Sequence, residues 1–178
     1  MKKAILLLIV LMTLTALQCK KNTQEDQLPP ITTSGTNTFG CLVNGNVWLP
    51  VNKGIINYGP PEYKLEVSQY WQNHSVTSVI ISATQYESNA TNGFYIALDK
   101  LDTGTYHLIG GLNYSDVNYI YYPWDSSGVV HIMRFDTIQK IISGTFSFTG
   151  YSDANITTAK SVSITDGRFD VHYPLAIH

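Results

Sequence analysis

Two-residue turn signals set between short alternating runs constrain this chain more than any other feature. Phe39–Val43 and Asn46–Pro50 flank Asn44-Gly45. Both residues of an Asn-Gly pair tolerate positive φ, which a type I′ hairpin turn requires. Val162–Thr165 and Arg168–Tyr173 flank Asp166-Gly167, a second signal of the same kind. A two-residue loop there would pair Ile164 with Phe169 and Val162 with Val171, with Ser163 facing Asp170 on the other side. Both strands would then present apolar residues to one face, as a half-buried hairpin needs. The same alternation runs through residues 63–67, 79–83, 94–98, 130–134 and 142–148. Beyond Cys19, apolar residues nowhere hold a 3.6-residue period. Many short strands with turns every 8 to 12 residues predict an all-β fold. The expected architecture is an antiparallel β-sandwich, with a partly closed β-barrel as the alternative.

Composition agrees with strands wetted on one side. Charged residues are 13% of the chain, where about 25% is usual. Ser, Thr, Asn and Tyr supply the polar surface instead, and such side chains suit sheets with one face in water.

The N-terminus reads as an address. Met1-Lys2-Lys3 is a short positive segment, and Ala4–Leu17 is apolar except for Thr13 and Thr15. A charged start, an apolar run and a processing site make an export signal. The alternative is a membrane helix, but fourteen residues span about 21 Å at ~1.5 Å each, short of the roughly 30 Å hydrocarbon core. Ala16-Leu17-Gln18-Cys19 resembles a lipobox, although Ala16 and Gln18 stand where Leu and a small residue are usual. That resemblance implies cleavage before Cys19 and acylation of its thiol and freed amine. Two or three acyl chains hold a protein firmly on a bilayer without crossing it.

The domain plan that follows is a signal peptide over 1–18, lipidated Cys19 with a flexible tether over 19–36, and one all-β domain over 37–178. Lys20–Thr36 is polar, holds Pro29-Pro30, and has neither a helical nor an alternating pattern. Gln24-Glu25-Asp26 is an acidic patch within it. With the signal removed, Lys and Arg fall from 11 to 9 against 13 Asp and Glu, a net charge of −4. No basic stripe is present, so nucleic acid is not an expected partner. The chain has two cysteines, Cys19 and Cys41. An even count in an exported chain invites a disulfide. If Cys19 is acylated, Cys41 is instead a lone thiol, read as a small buried apolar group.

Phe39–Trp48 resembles the opening hairpin of Bacteroidetes-type lipoproteins that carry a β domain of unknown function. Ile142–Phe148 and Ile164–Val171 resemble their closing strands, and Gln18-Cys19-Lys20-Lys21 resembles their processing region. The similarity spans roughly residues 37 to 173. It implies an exported protein anchored to the outer membrane by Cys19, facing either the periplasm or the exterior. It brings no catalytic motif.

A search for chemistry returns little. There is no Gly-x-Ser-x-Gly elbow, phosphate-binding loop, His-Glu-x-x-His or Cys-x-x-Cys. The five histidines lack metal-ligand spacing. Asp99–Gly104 and Asp153–Asn155 resemble fragments of calcium loops, but neither completes the ligand ladder, and turn chemistry explains them. Catalytic residues, metal ligands and cofactors are therefore not expected. Sequons occur at Asn73, Asn89, Asn113 and Asn155, and Asp136-Thr137-Ile138 resembles an O-glycosylation triplet. The candidate ligand-binding residues are Tyr114, Tyr119, Tyr121, Tyr122 and Trp124, dense within Asn113–Trp124. Such rings, apolar in face and polar at the tip, stack on sugars when exposed. The competing explanation is a strand with aromatic partners across the sheet. The expected function is a membrane-anchored, non-enzymatic binding or envelope-structural domain. Its partners are membrane lipid and either a glycan or another envelope protein. A carbohydrate-binding accessory protein and an enzyme with an unrecognised site are the alternatives.

Overall fold

The computed structural model describes residues 27–51, 64–72, 75–87, 90–108 and 110–177. Residues 1–26, on which the expected signal segment, the expected lipidation at Cys19 and the acidic patch fall, lie outside the described residues. The described residues contain strands and turns and no helix. They form two antiparallel six-stranded sheets packed face to face, a β-sandwich and not a closed barrel.

Sheet A comprises β1 (Thr38–Val43), β2 (Asn46–Trp48), β6 (Gly104–His107), β9 (Val129–Asp136), β10 (Ile141–Tyr151) and β11 (Ser161–His172), in the order β2-β1-β11-β10-β9-β6. Sheet B comprises β3 (Leu65–Gln72), β4 (Ser75–Glu87), β5 (Ala90–Leu98), β7 (Leu112–Ser115), β8 (Ile120–Tyr121) and β12 (Leu175–Ile177), in the order β12-β3-β4-β5-β7-β8. The first turn signal behaves as expected. Val43 pairs with Asn46 and Leu42 with Val47. Asn44 and Gly45 take φ of 49° and 82°, the left-handed pair of a type I′ turn.

The second turn signal is not a hairpin. Ser161–His172 is one continuous strand, β11, which lies between β1 and β10. Asp166-Gly167 is a β-bulge: Phe146 pairs with Gly167 and Phe148 with Ile164, so β11 carries one residue more than its partner. The same extra residue appears against β1, between Gly40↔Arg168 and Leu42↔Thr165. Asp166 sits at φ 52°, a left-handed conformation its short polar side chain tolerates. An inserted residue flips the facing of everything beyond it. Val162 and Ile164 before the bulge, and Phe169 and Val171 after it, therefore all point into the core. A hairpin and a bulge both reverse the parity of the apolar positions, so the pattern in sequence is the same for either. Gly167 serves by its lack of a side chain, since a Cβ would lie 2.5 Å from the Phe146 carbonyl oxygen.

The sheets meet around aromatic rings. Phe94 of sheet B lies 5.7 Å from Phe39, 4.7 Å from Trp48 and 5.9 Å from Phe146 of sheet A, ring centre to ring centre. Ile81, Ile96, Val130, Ile132, Ile142 and Val171 fill the space alongside and are fully buried. Cys41 is buried among them as a free thiol. Burial pushes its pKa well above the ordinary range, although the nearby Arg168 charge acts the other way.

Residues 27–36, assigned to the tether by composition, belong to the folded domain. They cross the outer face of sheet A as a strap. The Asp170 carboxylate accepts hydrogen bonds from the Thr32 hydroxyl (2.6 Å), the amides of Ser34 (3.1 Å), Gly35 (2.8 Å) and Thr36 (3.1 Å), and the Thr36 hydroxyl (2.9 Å). Arg134 donates to the Thr33 carbonyl and Arg168 to the Pro29 carbonyl. Asp170 and Ser143 are cross-strand neighbours, and both are buried although their alternation points them away from the core. The strap is what covers Asp170. Burial raises the Asp170 carboxyl, but the hydrogen bonds from Thr32, Gly35 and Thr36 outweigh it and hold its pKa below the usual carboxylate value.

Candidate functional site

The aromatic stretch lies where the chain leaves sheet B for sheet A. β7 and β8 form a tight antiparallel pair, with Tyr114 opposite Tyr121 and Ser115 opposite Ile120. Leu112 and Tyr114 alternate inward along β7, and Tyr121 follows the same rule on β8. Tyr114 and Tyr121 are 7% and 6% exposed. Tyr114 sits 4.8 Å from Phe94, and Tyr121 sits 6.0 Å from Tyr114. These two rings are part of the core and are not available as a stacking surface, so two of the five candidates are structural. Cross-strand packing accounts for them.

The other three are at the surface. Tyr119 is 37% exposed, Trp124 is 43% exposed and Tyr122 is half-buried. The Tyr122 and Trp124 rings are 5.3 Å apart and tilted by 51°. Lys160 places its Nζ 4.7 Å from the centre of the Tyr119 ring, a cation–π contact. Val117 and Ile120 of the same segment are also exposed.

Polar clamps make this crossover rigid. The Asp116 carboxylate accepts from the amides of Asn118 (2.8 Å) and Tyr119 (2.9 Å) and from the Tyr121 hydroxyl (3.1 Å). Burial raises its pKa, and these three bonds more than reverse that, so it stays below the usual value. Burial and the hydrogen bond to Asp116 push the Tyr121 hydroxyl up to about 12. Further along, Tyr122 and Tyr151 exchange two backbone hydrogen bonds of 3.1 and 2.8 Å. The Tyr151 hydroxyl donates to the Asp125 carboxylate at 3.2 Å, and the same carboxylate accepts from the Ser127 amide at 3.0 Å. The exposed rings are thus held at both ends of the segment between the sheets.

The remaining sequence candidates are accounted for by turns. Asp136 Oδ1 accepts from the amides of Ile138 and Gln139, with Lys140 at φ 57° closing the β9–β10 loop. Asp153 accepts from the Asn155 amide, and the Asp102 carbonyl accepts from the Tyr106 hydroxyl. Among the described residues, no group of three His, Cys, Asp or Glu side chains could hold a metal ion. Asn113 lies on β7 and Asn155 in an exposed turn, whereas Asn73 and Asn89 lie outside the described residues. Sequence reading missed the docked strap. It also missed the role of Asp116 and Asp125, whose local signal was an Asp followed within three residues by Asn or Ser, the signature of an Asx turn.

No protein-family model, no curated protein and no solved structure matches this chain.

Proposed function

We propose that this protein is an exported lipoprotein of the Bacteroidetes type, held on the outer membrane by acylated Cys19, whose β-sandwich is a non-enzymatic binding domain. The observation that carries the binding reading is the ordered exposure of Tyr119, Tyr122 and Trp124 on a crossover clamped by Asp116 and by the Tyr122–Tyr151 bridge. Large side chains presented on a rigid frame bind with little loss of conformational freedom. The anchor reading rests on the charged and apolar N-terminus and on Cys19. It is supported by Cys41, which as a free buried thiol leaves Cys19 available for acylation.

The docked strap shortens the tether in this reading. The docked strap begins at Gln27, so eight residue steps and not seventeen separate it from Cys19. Eight steps of ~3.5 Å reach at most about 28 Å. The domain therefore stays close to the lipid headgroups.

A glycan is the ligand that the exposed rings favour, since Tyr122 and Trp124 lie side by side at the surface and such rings stack on sugars. A second envelope protein would use the same segment through Val117 and Ile120. Retention of the protein on a polysaccharide array, and its loss in Trp124→Ala, is the expected outcome for the glycan. Retention unchanged by Trp124→Ala would remove this crossover as the binding face, and no retention of any polysaccharide would remove the glycan.

A further inference from the structure

The outer face of sheet A carries a concavity of about 250 Å³ between the strap and the β11 bulge. Ile31 of the strap forms one wall and Asp166 and Gly167 of the bulge another. Its floor is a polar row: Thr145 of β10 lies between His131 of β9 and Arg168 of β11, each its direct cross-strand partner. Ser147 stands two residues further along the same face.

The charge in this row is unbalanced. The Arg168 side chain is only 17% exposed. Among the described residues its hydrogen bonds go to neutral acceptors, the Asp166 carbonyl through Nε and the Pro29 carbonyl through Nη1. Among the described residues its carboxylate neighbour is Asp166, whose oxygen is 3.9 Å from Nη2, beyond hydrogen-bond distance, on a side chain 59% exposed to water. A mostly covered guanidinium without a hydrogen-bonded carboxylate is a costly arrangement in a folded protein. Two backbone contacts already fix its plane, so the Nη2 edge is pre-oriented. His131 is tied through Nδ1 to the Thr105 hydroxyl at 3.0 Å, which leaves Nε2 as the nitrogen for a ligand. The bulge adds an independent pointer. It places a non-glycine residue, Asp166, in the left-handed region at the rim, and bulges recur where a strand is bent to re-aim side chains at a site.

We propose that this cavity binds a small hydroxyl-bearing carboxylate, either a free sugar acid or a uronic residue of a polysaccharide. Arg168 takes the carboxylate, because its planar fork matches two carboxylate oxygens. Thr145, Ser147 and His131 serve the ligand's hydroxyls, and Ile31 covers its apolar edge. The volume is below the roughly 300–1,000 Å³ of pockets for drug-sized ligands, so the occupant is about one sugar ring. Asp166 limits affinity by repelling the carboxylate. This site shares no residue with the aromatic crossover.

The test is titration of the full mature protein with sodium glucuronate, glucose and polygalacturonate, read by calorimetry and by amide shifts of Gly167 and Arg168. Saturable binding of glucuronate without binding of glucose is expected. Arg168→Gln should weaken it at least about tenfold, the loss expected of a charge-assisted contact. Because Arg168 also holds the strap, Thr145→Val supplies a variant that leaves the Pro29 contact intact and should also weaken binding. Asp166→Asn should tighten it, and Trp124→Ala should leave it unchanged. Tighter binding of polygalacturonate than of glucuronate would assign the site to a polymer, and the reverse to a free acid. Equal binding of glucose and glucuronate, no saturable binding of either acid, or loss on Trp124→Ala would overturn the proposal.

Discussion

Replacing Asp170 by Ala should release Thr32–Thr36 of the N-terminal strap. The Asp170 carboxylate is 1% exposed and accepts five hydrogen bonds from Thr32, Ser34, Gly35 and Thr36. Bonds to a charged acceptor contribute about 1.5 kcal/mol each at the low end, about 7 kcal/mol together. Holding Thr32–Thr36 in one conformation costs about 1 kcal/mol per residue, about 5 kcal/mol in all. The carboxylate thus contributes about 2 kcal/mol more than the ordering of Thr32–Thr36 costs, and without it that stretch keeps little beyond the Arg134 bond to the Thr33 carbonyl. The global loss is capped near that figure, because a freed strap hydrates its own amides. For a domain of this size 2 kcal/mol lowers Tm by about 4–8 °C. Hydrogen exchange gives the decisive readout: the Gly35 and Thr36 amides should lose protection in Asp170→Ala while Ile132 and Ile142 in the core keep theirs. Protected Gly35 and Thr36 amides in the variant would refute the reasoning. The wild-type protein offers the same test by pH. The Asp170 pKa is lower folded than unfolded, so its contribution is fully present above the ordinary carboxylate value and is lost as pH falls through the folded one. Protection of Gly35 should therefore be constant from neutral pH to about pH 5 and fade below about pH 4.

Gly167→Ala places a methyl group 2.5 Å from the Phe146 carbonyl oxygen and 2.6 Å from its ring, and should cost about 1–3 kcal/mol in urea unfolding. An unchanged midpoint would contradict the close approach at the bulge. Cys41 is 0% exposed and its thiolate is disfavoured by burial, so native protein should resist alkylation at neutral pH and react fully once denatured. Rapid native labelling of Cys41 would show that the β1 side of the core opens.

The sequence revealed the fold class because alternation in β3, β4, β5, β9 and β10 reflects burial of one face directly. It revealed the β1–β2 hairpin because Asn44-Gly45 has a single good use there. Asp166-Gly167 has two uses, and which of them applies depends on whether β1 and β10 flank the strand on both sides, a fact of topology rather than of local pattern. The short strands β6, β7, β8 and β12 span two to four residues each, too few to show a period. The strap was invisible for a similar reason. Its polar composition resembles a linker, and its partner Asp170 lies more than 130 residues away. The aromatic stretch was visible as a cluster. Its division into core and surface was legible only in part: Leu112 and Tyr114 alternate, but Tyr119 belongs to the Asp116 turn and Trp124 to the crossover.

The proposed anchoring of this domain to a membrane turns on the mature N-terminus. Mass spectrometry of the N-terminal peptide from protein made in its own host tests it most directly. The account predicts a chain that begins at Cys19 and carries a diacylglyceryl group on its sulfur, with or without a further acyl chain on its amine. An unmodified Cys19, or a chain that begins upstream of it, would contradict the account.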